Sequence, residues 1–450
     1  MERPTAPAKR FVPAPAIVDD ATAQAAPTQI MLGLDFGTAY TKAVWGDLGG
    51  SATGVAAVGQ GREPIGESVV WIDQGGGLHL TDPGGARAER FLKMRLAGRG
   101  LGGGSAEDVE AMSTFFVGSM LRLAHAATSQ ALRGRVFGLA GAAIGCPAEY
   151  CDEWRLDVFR RVAAQGWRWA HDVAAPTTLQ AMRTWMRTPP DDAARTLCEA
   201  RAEVAAAMDA FALRRDTQEG RYAFLDIGAG TLDGACFKIF REHGLARITV
   251  LSAAVVDLGV EKVAEMVAGA PDEIAARKQD LFDRKSLDGG RWGTVREAIS
   301  GFIGQLLVGA RKSDGHSDWL AAEHGQRGIW SLDIHKAEVA RRLPVFFGGG
   351  GMKSRFYRDA TTWADNSNLT SQYGLPRLSL NDIPTPEGFV ASRGVEFHRF
   401  AVAYGLTRPA HLAPTLVLPR QISRLVAPET PARRRPPRAP DYGDSKDIFG

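Results

Sequence analysis

Two short segments of this 450-residue sequence place an aspartate at the end of an apolar run, followed by a glycine turn and a threonine. Residues 34–38 read LDFGT and residues 225–233 read LDIGAGTLD. Glycine allows backbone N–H groups to approach a phosphate closely, and the threonine hydroxyl adds a donor. Aspartate can organise Mg²⁺, usually through waters that the metal retains. Two such turns facing each other would form a clamp for a polyphosphate.

A third segment, residues 346–354, reads FFGGGGMKS and predicts a strand, a glycine run and the start of a helix. The glycines would let the chain approach a nucleoside, and a helix N-terminus favours an anion. Each of the three patterns is common in ordinary loops when it occurs alone. Their occurrence together, in this order and in matching strand–turn contexts, indicates a nucleotide-binding site.

The elements that must position these residues follow from the apolar periodicity. Strands are predicted over residues 30–34, 43–45, 69–72, 136–146, 167–173, 222–227, 234–240, 248–256 and 345–347. Helices are predicted over residues 107–131, 149–164, 177–186, 193–213, 260–268, 294–312, 354–363 and 397–406. The Gly-rich, basic segment 83–105 predicts a surface loop. Both Asp-Gly-Thr segments therefore lie at the turns of predicted hairpins.

The length of the chain favours two lobes over a single compact unit. We expect a first lobe over residues 30–215 and a second over 221–393, the second with an inserted helical subdomain at about 260–335. A closing helix over 394–410 would return to the first lobe. The Pro-rich segments 1–28 and 426–450 predict disordered tails, the second of them basic.

The three glycine-containing segments resemble the phosphate-1, phosphate-2 and adenosine motifs of the actin/heat-shock-70/sugar-kinase superfamily. Within it, the chain resembles the nucleotide-binding domain of the heat shock protein 70 (DnaK-like) chaperones. Residues 144–148 are similar to that family's strand ending in V-P-A, and residues 176–181 to its E-P-T-A-A-A helix start. Residues 258–261 are similar to its L-G-G-E-D segment, and residues 401–405 match its A-V-A-Y-G helix. The resemblance covers about residues 30–410.

This resemblance implies an α/β fold: the two-lobed actin-like ATPase fold, made of duplicated ribonuclease H-like domains with a central nucleotide cleft. It implies ATP and Mg²⁺ as cofactors, with Asp35 and Asp226 positioning the hydrated metal. Asp233 would position or deprotonate the attacking water, and Lys93 would match the catalytic lysine, a solvated loop lysine being the alternative reading. The residues expected around the nucleotide are Gly37, Thr38, Ala39, Tyr40, Lys42, Gly228, Ala229, Gly230, Thr231, Gly259, Glu261, Gly348, Gly349, Gly350, Gly351 and Lys353.

Three departures from the family pattern affect these expectations. Ala229 replaces a glycine of the second phosphate loop, where a methyl group restricts the backbone. Ala175 stands where the family has a glutamate before P-T, so a carboxylate associated with metal, water and lobe coupling is expected to be missing. The residues after Leu406 are too few for the family's peptide-binding domain and lid.

Four functions remain open at this stage. The first is a Mg²⁺-ATP-dependent molecular switch, chaperone-like but without a peptide-binding domain, which a protein partner or co-chaperone-like factor reads. The second is an actin-like ATPase that self-associates into filaments. The third is a small-molecule kinase on the same fold, and the fourth is a nucleotide-binding scaffold with little hydrolysis. Fold resemblance alone does not separate them.

The composition narrows the location and the partners. The net charge of +3 does not favour nucleic acid as a partner, although the basic tail could contact nucleic acid, lipid or an acidic protein. The four cysteines form no dense framework, and Cys146 and Cys151 are expected to be free thiols rather than a bridge. Neither a membrane-spanning apolar stretch nor a signal peptide is recognisable. A cytoplasmic protein without a membrane span is therefore expected.

Overall fold

The computed structural model of the protein describes residues 14–18, 28–50, 52–99, 104–152, 154–214, 217–243, 245–283, 289–314, 342–366, 377–386, 389–390 and 395–418. Within these ranges the chain is a mixed α/β structure with three sheets. The strands are β1 (Gln29–Phe36), β2 (Tyr40–Asp47), β3 (Thr53–Ala56), β4 (Ile65–Glu67), β5 (Val70–Ile72), β6 (Leu78–His79), β7 (Arg87–Glu89), β8 (Gly138–Cys146), β9 (Cys198–Ala202), β10 (Gly220–Ile227), β11 (Leu232–Glu242), β12 (Leu245–Val256), β13 (Leu343–Gly348), β14 (Leu378–Asp382), β15 (Phe389–Val390) and β16 (Thr415–Val417). The helices are α1 (Leu92–Leu96), α2 (Ala106–Ala131), α3 (Trp154–His171), α4 (Leu179–Met186), α5 (Asp192–Leu197), α6 (Glu203–Ala212), α7 (Val260–Val267), α8 (Ile274–Asp283), α9 (Gly290–Ser313), α10 (Arg355–Asn366) and α11 (Ala401–Leu406).

The two large sheets repeat one arrangement of strands. The first has the order β15-β3-β2-β1-β8-β9, with β4 also paired to β2, and the second has the order β14-β13-β10-β11-β12-β16. In both, three successive antiparallel strands continue into two parallel ones: β3-β2-β1 then β8-β9, and β12-β11-β10 then β13-β14. The equivalent hairpins β1–β2 and β10–β11 are those that carry the two Asp-Gly-Thr turns. The third sheet is small, with the order β6-β5-β7.

The first sheet is built around β1, whose last seven residues are all buried. A strand covered on both faces reads as a continuous apolar run, as β1 does. The long helix α2 packs against α3 and against β1, β2 and β3. It begins with a capping box in which Ser105 and Asp108 exchange side-chain-to-backbone hydrogen bonds, which satisfies two otherwise free N–H groups.

The second sheet is covered by helices from the segment predicted to hold an inserted helical subdomain. Helix α9 packs on β11, β12 and α10, and α7 packs on α8. Phe302, Leu306 and Leu307 of α9 are buried in a core with Phe347 and Tyr357. The part of the predicted subdomain from 315 onwards lies outside the described residues.

Helix α11, in the segment predicted as a closing helix, packs on α6, β1, β2 and β8. The packing is close because glycines face backbone on both sides. A Cβ added at Gly405 would overlap the carbonyl of Ala206, and one added at Gly33 would overlap the carbonyl of Ala403. After α11 the chain crosses to the second sheet, where β16 pairs in parallel with β12.

The Ala-rich segment 193–213, predicted as one helix, is instead helix, strand and helix. Strand β9 interrupts it and pairs in parallel with β8, with Cys198 opposite Ala142 and Ala202 opposite Cys146. Alanine has the highest helix propensity, so local preference alone favours a continuous helix. The segment forms a strand in its middle because it pairs there with the edge of β8. This pairing gives hydrogen-bond partners to backbone groups that would otherwise be buried without them.

The prediction of a strand over 167–173 is also wrong, because residues up to His171 belong to α3. Trp167 and Trp169 are both buried although they point to different sides of the helix. The helix packs against α2, α5 and β9, so more than one of its faces is covered. Burial on several faces removes the single apolar stripe by which a helix is recognised in a sequence.

Some predicted boundaries shift. Residues 14–18 of the predicted N-terminal tail are ordered by contact: Ile17 is buried, and its N–H donates to the carbonyl of Ala170 at 2.9 Å. Strand β15, assigned by sequence to the second lobe, pairs with β3 of the first sheet. Residues 1–13, 19–27 and the predicted tail 426–450 lie outside the described residues.

Candidate functional site

The two Asp-Gly-Thr hairpins are equivalent in register. In the first, Asp35 lies opposite Lys42, and in the second, Asp226 lies opposite Asp233. Lys42 therefore occupies in one hairpin the position that Asp233 occupies in the other. The Lys42 ammonium donates to Asp35 Oδ2 at 2.7 Å, which partly neutralises the first carboxylate. The second hairpin has two carboxylates and no such cation.

Both hairpins open onto one cavity of about 320 Å³. Most of the residues predicted to surround a nucleotide line it, together with a few that the motifs do not include. The lining residues are Asp35, Gly37, Thr38, Ala39, Tyr40, Lys42, Lys93, Asp226, Gly228, Ala229, Thr231, Asp233, Val260, Glu261, Lys278, Phe282, Gly349, Gly350, Gly351 and Arg399.

The two turns touch each other at the base of this cavity. A Cβ added at Gly230 would lie 2.8 Å from Cγ2 of Thr38, so only glycine fits there. The segment after β12 is hydrogen-bonded to the second turn. The N–H group of Gly259 donates to the carbonyl of Gly230 at 3.1 Å, and that of Glu261 donates to the carbonyl of Ala229 at 2.8 Å. Gly230 and Gly259 thus shape the site without lining the cavity.

The glycine run after β13 lies directly against the second hairpin. Gly349 has φ +77°, and a Cβ there would overlap Asp226 Oδ1. A Cβ at Gly351 would overlap the side chain of Ile227, whose carbonyl accepts a hydrogen bond from the Gly351 N–H at 2.9 Å. Gly348, the last residue of β13, pairs with Asp226 and packs against Phe224. Gly350 has open space beside it.

Lys93 is a buried residue of α1 and not a loop lysine. It lies within the segment predicted as a surface loop, where the structure has β7 and α1, and it is only 6% exposed. Its ammonium donates to Glu203 Oε1 at 2.5 Å. Burial lowers the pKa of Lys93, but the negative charges of Glu203, Asp233 and Asp35 outweigh this effect and raise it, so the ammonium is charged.

Three carboxylates gather beside Lys93. Glu203, Asp226 and Asp233 each offer an oxygen, and these oxygens lie within 4.8 Å of one another. Oδ1 of Asp233 is buried and has no hydrogen-bond partner among the described residues. Oxygen ligands grouped in this way suit a hard divalent cation such as Mg²⁺. Asp226, one of the two predicted metal residues, belongs to this group, whereas the other, Asp35, pairs with Lys42.

The pKa values of these carboxyls are raised. Burial is the largest cause for all three, and each also feels the charge of a neighbouring carboxylate. For Glu203 burial raises the pKa to about 7, against the lowering effect of Lys93, with Asp35 and Asp226 raising it further. For Asp226 the charge of Asp35 adds to burial. A bound cation would reverse these shifts.

Glu203 is the functional candidate that the motifs missed. Ala175, expected to mark a missing carboxylate, lies elsewhere: its N–H bonds to Asp172, and the following Thr177 pairs with Leu78. Glu203 begins helix α6, directly after β9, and its carboxylate joins the cluster with Asp226 and Asp233, which line the cavity. The signal in the sequence is a glutamate preceding four small apolar residues. This signal does not identify Glu203 from the sequence, because the sequence predicts helix where the structure has β9.

Some of the remaining predicted residues line the cavity, and others lie outside it. Glu261 lines the cavity and pairs with Lys278 at 2.9 Å, beside the Phe282 ring. Lys353 does not line it, because its ammonium is paired with Glu396. Ala229 lines the cavity with an ordinary negative φ, so its methyl group does not strain the turn.

No protein-family model matches this sequence, and no curated protein is similar to it. In the part of the chain that the structure describes, no helix is both long and apolar enough to cross a membrane.

Proposed function

We propose that this protein is a Mg²⁺-dependent ATPase of the actin/heat-shock-70/sugar-kinase superfamily, with that superfamily's two-lobed fold. We further propose that it acts as a chaperone-like switch read by a partner protein. One observation carries the proposal. Two sheets with the same strand order each contribute an Asp-Gly-Thr hairpin to the same cavity, and the glycine run after β13 forms its third wall.

The residues present fit a nucleotide with a divalent cation. Asp226, Asp233 and Glu203 would hold the hydrated cation, which would neutralise phosphate charge when bound. Backbone N–H groups of the two turns would donate to phosphate oxygens, and so would the hydroxyls of Thr38 and Thr231. Gly349, Gly350 and Gly351 line the cavity, and the open space beside Gly350 suits the close approach of a flat nucleoside.

The chain's own groups would then promote hydrolysis by positioning and charge. The unpartnered Oδ1 of Asp233 would accept a hydrogen bond from the attacking water and orient it. Lys93, held by Glu203, would place a positive charge beside the reacting phosphate. Lys42 would exchange its bond with Asp35 for a phosphate oxygen.

The test is ATP binding by calorimetry and phosphate release with Mg²⁺, for wild type and Asp233→Asn. Wild type should bind and hydrolyse ATP, whereas Asp233→Asn should bind it with turnover lowered by about 10²–10⁴-fold. Asp272→Asn, an exposed aspartate outside the cavity, serves as the matched control. Wild type that binds no nucleotide would contradict the proposal.

This experiment and two further measurements on the same protein distinguish the alternatives. Binding without turnover would favour a nucleotide-binding scaffold. ATP-dependent sedimentation would favour an actin-like filament, and phosphate transfer to an added metabolite instead of water would favour a kinase.

A further inference from the structure

Arg399 is a cavity residue that no motif in the sequence indicates. It ends the 3₁₀ turn Phe397–Arg399, immediately before the closing helix α11. Its side chain lines the proposed nucleotide cavity together with the turn that contains Thr38 and Tyr40. Arg399 and Tyr40 also line an adjoining cavity of about 640 Å³ on the side of the first sheet. Arg399 therefore lies where the two cavities adjoin.

The Arg399 side chain has an unmet hydrogen-bonding requirement. Its Nε is buried and has no acceptor among the described residues. Glu396, the nearest acid along the chain, is paired with Lys353 and lies 3.4 Å from His398. The hydrogen bond from Lys353 is the main cause of the lowered pKa of Glu396, and the charges of His398 and Arg399 lower it further. Arg399 forms no ion pair with Glu396 in the described part of the chain.

A buried N–H without an acceptor lowers stability unless a ligand or water supplies one. Among side-chain groups, a guanidinium is the best suited to bind a phosphate, because its planar N–H donors match two phosphate oxygens at once. An anion at the junction would therefore satisfy both the charge and the free Nε of Arg399.

We propose that Arg399 binds a phosphate group of the nucleotide, an inference that rests on the proposed function. The alternative source of an anion is a separate ligand in the adjoining cavity. That cavity carries the carboxylates of Glu63 and Glu67 on its wall, which repel an anion. The nucleotide cavity also has carboxylates on its wall, but it has three ammonium groups besides Arg399, those of Lys42, Lys93 and Lys278, whereas Arg399 is the only cation among the described residues that line the adjoining cavity. Arg399 also lines the nucleotide cavity together with the first Asp-Gly-Thr turn.

The experiment is calorimetric titration of the full chain with ADP, adenosine and inorganic phosphate, using wild type, Arg399→Gln and Arg399→Lys. Arg195→Gln, an exposed arginine outside both cavities, is the control. We expect Arg399→Gln to weaken ADP binding about tenfold or more, the loss typical of a charged hydrogen bond, and to leave adenosine binding unchanged. Arg399→Lys should recover part of the loss, which also shows that the fold is intact.

Equal weakening of ADP and adenosine would overturn the inference, because the residue would then act on the nucleoside or on the fold. Unchanged ADP binding in Arg399→Gln would overturn it as well. Loss of inorganic phosphate binding alone would assign Arg399 to an independent anion site and would also contradict it. Wild type that binds neither ADP nor adenosine would instead remove the proposed function itself.

Discussion

The ammonium group of Lys93 lies 2.5 Å from the carboxylate of Glu203, although the two residues are 110 positions apart. Their side chains are only 8% and 6% exposed. The pair joins the short helix α1 to the first residue of α6 and sets a positive charge beside the acidic cluster. Each charge favours the ionised form of the other, which makes the pair a direct test of the site.

Lys93→Met should destabilise the protein by about 3–5 kcal/mol at pH 8, because it leaves the carboxylate of Glu203 buried without its partner. The double variant Lys93→Met/Glu203→Gln should recover most of this loss, since neither position of the pair then carries a charge. Urea denaturation measures both free energies of unfolding. Lys262→Met, which removes an exposed pair with Glu265, should cost less than about 1 kcal/mol. Equal stability of the single and double variants would show that the pair does not act in this way.

The raised pKa of Glu203 predicts how the apo protein responds to pH. Its pKa rises on folding from 4.5 to about 7, so between these values the native state binds more protons than the unfolded state. The free energy of unfolding should therefore fall as pH rises through this interval, by up to about 1.4 kcal/mol per pH unit from this group. Thermal melts of wild type and Glu203→Gln, both in EDTA, isolate the effect. Parallel pH profiles for the two proteins would contradict it.

Magnesium should reverse that dependence. Cation binding requires ionised carboxylates, and those of Glu203, Asp226 and Asp233 all have raised pKa values. Stabilisation by 10 mM Mg²⁺, a concentration of roughly the order needed for a weak carboxylate site, should grow from pH 5 to pH 8 and release protons. The rise in melting temperature on adding Mg²⁺ measures it, with Asp226→Asn as the variant that should lose the effect. A pH-independent rise would exclude this cluster as the cation site.

Two neighbouring glycines should differ sharply in their tolerance of alanine. Gly349→Ala forces a positive φ on a residue with a side chain and drives its Cβ into Asp226, so we expect a loss of roughly 1–3 kcal/mol. Gly350→Ala has open space and an ordinary φ, and its free energy of unfolding should stay within about 0.5 kcal/mol of wild type. Chemical denaturation compares them. Similar losses in both variants would show that the conformation of Gly349 is not what the site requires.

Arg99, which follows helix α1, contacts the second sheet next to the proposed catalytic aspartate. Its guanidinium donates to the carbonyl of Val255 at 2.6 Å, and Val255 lies opposite Asp233 in the second sheet. Arg99→Met should lower turnover about tenfold with little change in KM, because the position of Asp233 relative to Lys93 loosens. Steady-state kinetics measure the two parameters.

Arg155→Met provides the matched control for this prediction. Arg155 also donates to a carbonyl, that of Ala97 at 2.7 Å, but this bond joins α3 to the end of α1 and does not reach the second sheet. It should affect stability more than turnover. Comparable losses of kcat in the two variants would argue against a specific positioning role for Arg99.

The hairpins and the glycine run could be predicted from the sequence because their signals are local. An apolar strand, an aspartate, a glycine turn and a threonine follow one another within nine residues, and the structure places both turns as expected. Lys42 and Tyr40 could be predicted for the same reason, since they belong to the strand that follows the first turn. Lys353 could not, because its pairing with Glu396 depends on a segment 43 residues away.

The amino-acid sequence by itself determined where the two Asp-Gly-Thr turns and the glycine run lie along the chain. Only the tertiary structure decided which of them share a site. Strand β9 forms in an Ala-rich segment because β8 offers it backbone partners, and this pairing places Glu203 at the end of a strand, facing Lys93. Arg399 reaches the same cavity because the closing helix packs back onto the first sheet. These placements depend on contacts between segments that are far apart in the chain. A short stretch of sequence does not contain the free energy of such contacts.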